Sequence, residues 1–322
     1  MVVEYLRKFV EKESNARKGL FSYEWAMLAY LLFTLVVAML LPITFSWDSE
    51  FWFGRGRIVA ITLLLWGVYW FYPCRLTHLA RAIYQLSLLA WWYPDTYELN
   101  KLLPNLDHVF AQAEQTIFGC QPALLFSQAC PWPFFSELMD LGYASYFPII
   151  AFVTVYYYLF IYEKFDRCVF ITLASFFIFY VIFVLLPVTG PQYYYGAIGL
   201  DQVAQGIFPN VYDYFSTHSE RMVSPGWTDG FFYHLVDSAH NAGERPTAAF
   251  PSSHVGMTCV LLLQAWYSRY RRTFYILLPF FLLMFAATVY IQAHYLIDAI
   301  AGLFTGFLFY YAMSYLYEKF NL

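Results

Sequence analysis

Charge is what this chain has least of. Lys, Arg, Asp and Glu make up 12% of its 322 residues, where soluble globular proteins carry about 25%, so a water-facing surface would run short of charged groups. The charges that remain nearly cancel, 18 basic against 22 acidic, for a net charge of −4. That balance lacks the basic footprint of nucleic-acid binding, and no nucleic-acid partner is expected. Cysteine is scarce too. Five cysteines with no C-x-x-C pair exclude a disulfide scaffold and offer no zinc site; no metal or other cofactor is expected. Cys74, Cys168 and Cys259 lie at or inside apolar runs and read as small buried hydrophobes. Cys120 and Cys130 fall on a stretch assigned below to the non-cytoplasmic side, where an oxidising compartment permits a disulfide. No cleavable signal peptide is expected, because the charged stretch Met1 to Gly19 is too long for an n-region and the apolar run after it is of spanning length. No internal repeat or low-complexity tract is evident.

What the chain does have is apolar. Hydrophobic residues make up 61% and aromatics 23% of it, and its mean hydropathy is +0.50. The bilayer is therefore the expected solvent, with aromatic belts at its interfaces. A spanning helix needs ~20 mostly apolar residues. Runs approaching that length go from Trp25 to Phe45, Ile58 to Tyr72, Leu76 to Trp92, Tyr143 to Tyr162, Cys168 to Leu186, Ser252 to Tyr267, Phe274 to Ile291 and His294 to Leu316. The third is the weakest, since it carries Arg81 and Gln85. Residues 94–141 are broken by prolines and read as interfacial helices and loops; within them, Leu106 to Phe118 has apolar residues at helical spacing and could lie flat on the membrane. Residues 187–251 form a loop too long to be a mere connector. The expected fold is all-α, a polytopic transmembrane bundle of about eight spans, or six if the Leu76 run does not cross.

Orientation follows from the positive-inside rule. Arg7, Lys8, Lys12, Arg17, Lys18, Lys164, Arg167, Arg269, Arg271, Arg272 and Lys319 all fall on one side of an eight-span chain. That side is read as cytoplasmic. Both termini then lie inside and loop 187–251 lies outside, in a bacterial inner membrane or a eukaryotic endomembrane. Residues 1–72 read as a cytoplasmic N-terminus with two accessory spans, and residues 73–322 as one catalytic membrane domain.

Two stretches place ionisable groups at the mouths of apolar helices. The first runs from Arg245 through Pro251-Ser252-Ser253-His254. Pro251 stands where prolines precede helices, and Ser252, Ser253 and the first-turn N–H groups make an anion site at a helix N-terminus. Arg245 adds a fork-shaped cation suited to phosphate. The second stretch is His294-Tyr295-Leu296-Ile297-Asp298. Residues four apart share a helix face, so Asp298 can fix the tautomer of His294 and raise the basicity of its other nitrogen, making it a nucleophile toward phosphorus. Taken singly, each stretch is an ordinary helix start. Together they sit on one predicted side, at the outer ends of helices, where ionisable groups in membrane chains are functional candidates. His78, His108, His218, His234 and His240 have no such partner and read as interfacial or loop polar residues, with His240 set apart by its nearness to Arg245.

These residues resemble the type 2 phosphatidic acid phosphatase (PAP2) superfamily, whose signature is Lys-x6-Arg-Pro, Pro-Ser-Gly-His and Ser-Arg-x5-His-x3-Asp. The chain keeps Arg245-Pro246, Pro251-Ser252-Ser253-His254 and His294 with Asp298, but has Ser238 at the lysine position, Ser253 at the glycine, and Ala287-Thr288 for Ser-Arg. Two phosphate-binding cations are thereby missing, which makes a dianionic monoester a less natural substrate and argues against the vanadate haloperoxidase branch. The pattern is similar to the branch of inositol phosphorylceramide and sphingomyelin synthases. Thr288-Val289-Tyr290, Gly190-Pro191-Gln192-Tyr193-Tyr194, Phe118-Gly119-x-x-Pro122 and Tyr143-Ala144-Ser145-Tyr146 add to that likeness, which spans roughly residues 105 to 317.

The resemblance implies a six-helix core and a metal-free phosphotransferase. His294 would attack the phosphorus of phosphatidylinositol or a similar donor, Asp298 would orient it, and His254 would protonate the leaving diacylglycerol. A ceramide or similar acceptor would then take the head group from the phosphohistidine. Arg245, Ser252, Ser253 and Gln192 would hold the phosphate. On this reading the two imidazoles face one another across a phosphorus-sized gap. A lipid phosphatase acting on a lipid phosphate or polyprenyl pyrophosphate shares the first step, and a non-catalytic transporter or scaffold with a polar His/Asp gate is the alternative from another class.

Overall fold

The computed structural model describes residues 7–14, 16–41 and 49–320. Regular structure among them is helical, without a strand. In chain order the helices are α1 (Ser22–Leu40), α2 (Glu50–Phe71), α3 (Arg75–Ser87), α4 (Leu89–Asn100), α5 (Asp107–Phe118), α6 (Pro122–Ala129), α7 (Pro133–Ala144), α8 (Tyr146–Phe160), α9 (Phe165–Leu185), α10 (Pro191–Ile198), α11 (Leu200–Ala204), α12 (Phe231–Gly243), α13 (Ser253–Trp266), α14 (Arg272–Tyr290) and α15 (Leu296–Phe320). Local chemistry sets several ends. Proline begins α6, α7 and α10, where its missing N–H costs nothing. Gly119 closes α5 in the left-handed conformation, φ 71°, a common glycine C-cap.

Among the described residues, five helical segments are long and apolar enough to cross a membrane: α1, α2, Tyr162–Leu185, α14 and α15. A sixth is made by α7 and α8 together, bent by 46° at Ser145. The expected polytopic all-α architecture is present with fewer spans than the eight runs counted above. The Leu76 run breaks at Leu88 into α3 and α4, of 13 and 12 residues. Its polar residues are the physical reason. Arg81 and Gln85 are buried against Glu24 and Thr62, so this face serves protein contacts instead of lipid. The Ser252 run folds as α13, whose 14 residues cover about 21 Å, short of a ~30 Å hydrocarbon core.

The most enclosed spanning segment is Tyr162–Leu185, 78% buried over its apolar window against 28–39% for the other four. It is hydrophobic all round, as a central helix must be. Helices α1, α4, α13 and α15 pack on it. Leu40, Phe71, Phe134, Phe304 and Leu308 lie exposed on the outside, more apolar surface than a water-soluble protein shows. Residues 187–251, expected as an open loop, instead carry α10, α11 and α12. All five cysteines are free thiols, Cys120 and Cys130 included.

Candidate active site

His254 stands on the first turn of α13, and His294 in the connector 291–295 between α14 and α15. The two rings meet, with His294 Nε2 3.4 Å from His254 Nδ1 and centroids 5.6 Å apart. His294 is pinned. Its Nδ1 lies 2.8 Å from the Ala249 carbonyl oxygen, which can only accept, so that nitrogen carries the proton. The lone pair then sits on Nε2, and the hydrogen shared between the imidazoles belongs to His254 Nδ1. The Ala249 carbonyl is presented by a turn at Ala248, which is buried with φ 70°, an uncommon conformation for a residue with a Cβ. Burial lowers the His294 pKa to about 4, against the opposing pull of Ala249 and Glu244, so the ring is neutral at pH 7.

Asp298 is placed differently from the expectation. Its Oδ2 accepts from the Tyr295 N–H at 2.9 Å and stays 3.8 Å from His294 Nδ1. The first contact is a helix cap, the N3 carboxylate reaching back to the N-cap backbone. The second is too long for a hydrogen bond, so Asp298 is tied to His294 through the connector and not by a direct bond. The expected gap between the imidazoles is closed, because the backbone ties on both sides bring the rings into contact. Ser252 is also committed: its N–H donates to the Asp298 carbonyl at 3.0 Å and its Oγ caps Val255 at 3.4 Å. Ser253 lines the cavity beside His254. Gln192 spends its Nε2 on Glu244 Oε1 at 3.0 Å. Arg245 is exposed and does not line this cavity. The cation nearest in effect is Arg221, paired with Asp237 and acting electrostatically on both Glu244 and His240.

The cavity next to His254 holds about 320 Å³. His254 is stacked on Tyr143 at 4.5 Å and tilted against Tyr146 at 4.3 Å, and Tyr93, Tyr180, His240 and Glu244 form the facing walls. Among the described residues, no Lys or Arg lines it. Reading His240 as a loop polar residue is thus corrected: it is buried and faces the cavity.

Two further carboxylates build the site from behind. Buried Asp107 accepts from the Thr189 and Gly190 N–H groups at 2.7 and 2.8 Å and from the Tyr295 hydroxyl at 3.0 Å. Glu114 accepts from the Leu296 and Ile297 N–H groups, capping α15, and burial raises its pKa to about 7. Helix α5 is therefore anchored to the start of the helix that carries Asp298. The sequence signal for both was available: acids inside an otherwise apolar stretch of a membrane chain.

A family model described as the PAP2 superfamily matches residues 107–312, 206 of the 322 residues. The chain belongs to the PAP2 superfamily. The match opens at Asp107 and closes inside α15, so it takes in both histidines, Asp298 and the cavity walls from Tyr143 onward. No curated protein and no solved structure matches the chain. PAP2 membership brings phosphatase or phosphotransferase chemistry, and the spanning helices make this an integral membrane protein with lipid substrates within reach.

Proposed function

We propose that this PAP2 protein moves a phosphate-bearing head group from a glycerophospholipid to a lipid alcohol through a phosphohistidine on His294. The observation that carries the reading is the His294 lone pair on Nε2, aimed at the proton on His254 Nδ1. Nε2 attacks phosphorus while His254 delivers its Nδ1 proton to the leaving oxygen. This needs the imidazolium, which burial and the neighbouring His294 disfavour and which the negative charge of a bound phosphodiester would restore; neutral His254 then takes the proton of the incoming hydroxyl. Such acid–base roles contribute on the order of 10²–10⁴-fold. An attack distance of ~3–3.5 Å and a hydrogen bond of ~2.6–3.2 Å must both fit where 3.4 Å now separates the nitrogens. The rings part on binding, and His254, half-buried between two tyrosines, is the one free to move.

Two features favour transfer from a diester over hydrolysis of a monoester. With no Lys or Arg in the wall, a dianion would be poorly compensated, and burying uncompensated charge is costly. The aromatic walls also suit an amphiphile better than water in the second step. The resemblance to inositol phosphorylceramide synthases makes phosphatidylinositol the favoured donor and ceramide the favoured acceptor, on the non-cytoplasmic face, with residues 1–72 as accessory spans to the catalytic region 73–322.

Purified protein given labelled phosphatidylinositol with and without ceramide tests the reading. Head-group transfer to ceramide is expected. Phosphate release from a lipid monoester or polyprenyl pyrophosphate, without transfer, would replace it with a phosphatase. An absence of turnover on all these lipids would leave a transporter or scaffold.

A further inference from the structure

Next to the imidazole pair lies a second ionisable pair that the phosphoryl step leaves unused. His240, in the last turn of α12, is 7% exposed, and neither of its ring nitrogens makes a hydrogen bond among the described residues. Its Nδ1 is 3.4 Å from Glu244 Oε2, and that oxygen is likewise buried without a hydrogen bond. The other oxygen, Oε1, is held by Gln192 Nε2 at 3.0 Å, which turns the free one toward His240. Both residues line the 320 Å³ cavity that also holds His254. Tyr143 links the two pairs, stacked on His254 at 4.5 Å and edge-on to His240 at 5.4 Å.

A buried carboxylate oxygen and two buried ring nitrogens without hydrogen bonds are costly to leave so, a cost that a ligand's polar groups would relieve, since the carboxylate oxygen and one nitrogen accept and the other nitrogen donates. Burial holds the Glu244 carboxyl near 7 and the His240 imidazole near 4. The pair is therefore poor in net charge at neutral pH and suited to a neutral ligand instead of a second phosphate. The remaining walls, Tyr93, Phe147, Phe176 and Tyr180, suit an apolar body.

We infer that Glu244 and His240 form the recognition site for the acceptor: a neutral amphiphilic alcohol carrying a second hydrogen-bond donor beside its reacting hydroxyl. This deepens, and rests on, the phosphotransfer reading above. The reacting hydroxyl goes to His254, which takes its proton as the O–P bond forms and the P–N bond to His294 breaks. The second donor, a hydroxyl or amide N–H, goes to Glu244 Oε2. An alcohol with the same chains but only ester groups beside its hydroxyl leaves that oxygen unpaired. Sites built around one hydrogen bond reject analogues lacking it far more strongly than apolar pockets reject a missing methylene.

The test uses the full-length protein in detergent, with phosphatidylinositol as donor and short-chain ceramide or chain-matched diacylglycerol as acceptor. Without acceptor, wild type should release a burst of one diacylglycerol per enzyme; absence of both burst and transfer overturns the phosphotransfer reading and this inference with it. With acceptor, wild type should prefer ceramide by at least about tenfold in kcat/KM. Glu244→Gln should lower that preference to within about threefold, mainly through the ceramide KM. A Glu244→Gln protein that keeps both the burst and the full preference overturns the assignment alone. Should that variant lose the burst, His240→Phe, which keeps the ring against Tyr143 and removes both nitrogens, decides by the same preference ratio.

Discussion

At the scale of single residues, the site works by committing polar atoms in advance. The Ala249 carbonyl takes one nitrogen of His294 and leaves the other as the acceptor facing His254, so on the proposed mechanism the tautomer needed for attack is set by backbone before substrate arrives. Asp298 divides its carboxylate between a helix cap and a longer reach to the same imidazole. His294→Ala is expected to lower turnover by at least ~10²-fold with expression unchanged; a variant of full activity would remove the nucleophile assignment. Asp298→Asn keeps a cap acceptor for Tyr295 but loses the charge, and a loss of similar order is expected in the same assay. If Asp298→Asn turns over like wild type, Asp298 is only a cap.

At the scale of helices, the imidazoles meet because α13 and α15 approach closely. A Cβ on Gly302 would stand 2.4 Å from the Ser252 carbonyl oxygen, and one on Gly306 would stand 2.5 Å from the Gly256 carbonyl oxygen. Small residues four apart are how membrane helices bring their backbones together. Gly302 thus sets where Ser252, and with it the first turn bearing His254, rests on α15. Gly302→Ala should cost about 1–3 kcal/mol by overpacking and lower turnover as His254 shifts. Thermal unfolding in detergent and the transfer assay check both; an unaltered midpoint with unaltered turnover would show that the helices can part without harm. The N-terminal helices are tied in by buried charge instead: Glu24 of α1 pairs with Arg81 of α3, and Arg55 of α2 with Asp95 of α4. Removing one partner of such a pair leaves an uncompensated buried charge and is strongly destabilising.

For the molecule as a whole, the side on which residues 187–251 lie turns on the number of crossings. The eight runs of the positive-inside reading put them outside the cytoplasm, whereas the six candidate spans counted from the same N-terminus put them inside; we propose the first, which gathers the cations on one face. A cysteine replacing exposed Asp229, in a background lacking the native thiols, should react with an impermeant thiol reagent added to intact cells. Labelling only after lysis would reverse the orientation.

Much of this was legible in the chain before folding. Scarce charge and long apolar runs are enough to make a membrane helical protein, since in hydrocarbon only a helix or closed barrel satisfies the backbone. Pro251-Ser252-Ser253-His254 and His294-x3-Asp298 identified the candidate imidazoles, because each motif is contained in a few consecutive residues. The rest was decided by tertiary structure, for one physical reason: a partner's identity depends on which distant segment arrives. Arg81 reads as a disruption of a span until Glu24 meets it from 57 positions away. Gln192 reads as a phosphate ligand until Glu244 occupies its amide. Asp107 and Glu114 gain their part in the site only when Thr189 and Leu296 bring them backbone donors, and His240 becomes part of a cavity only when α12 folds over Tyr143.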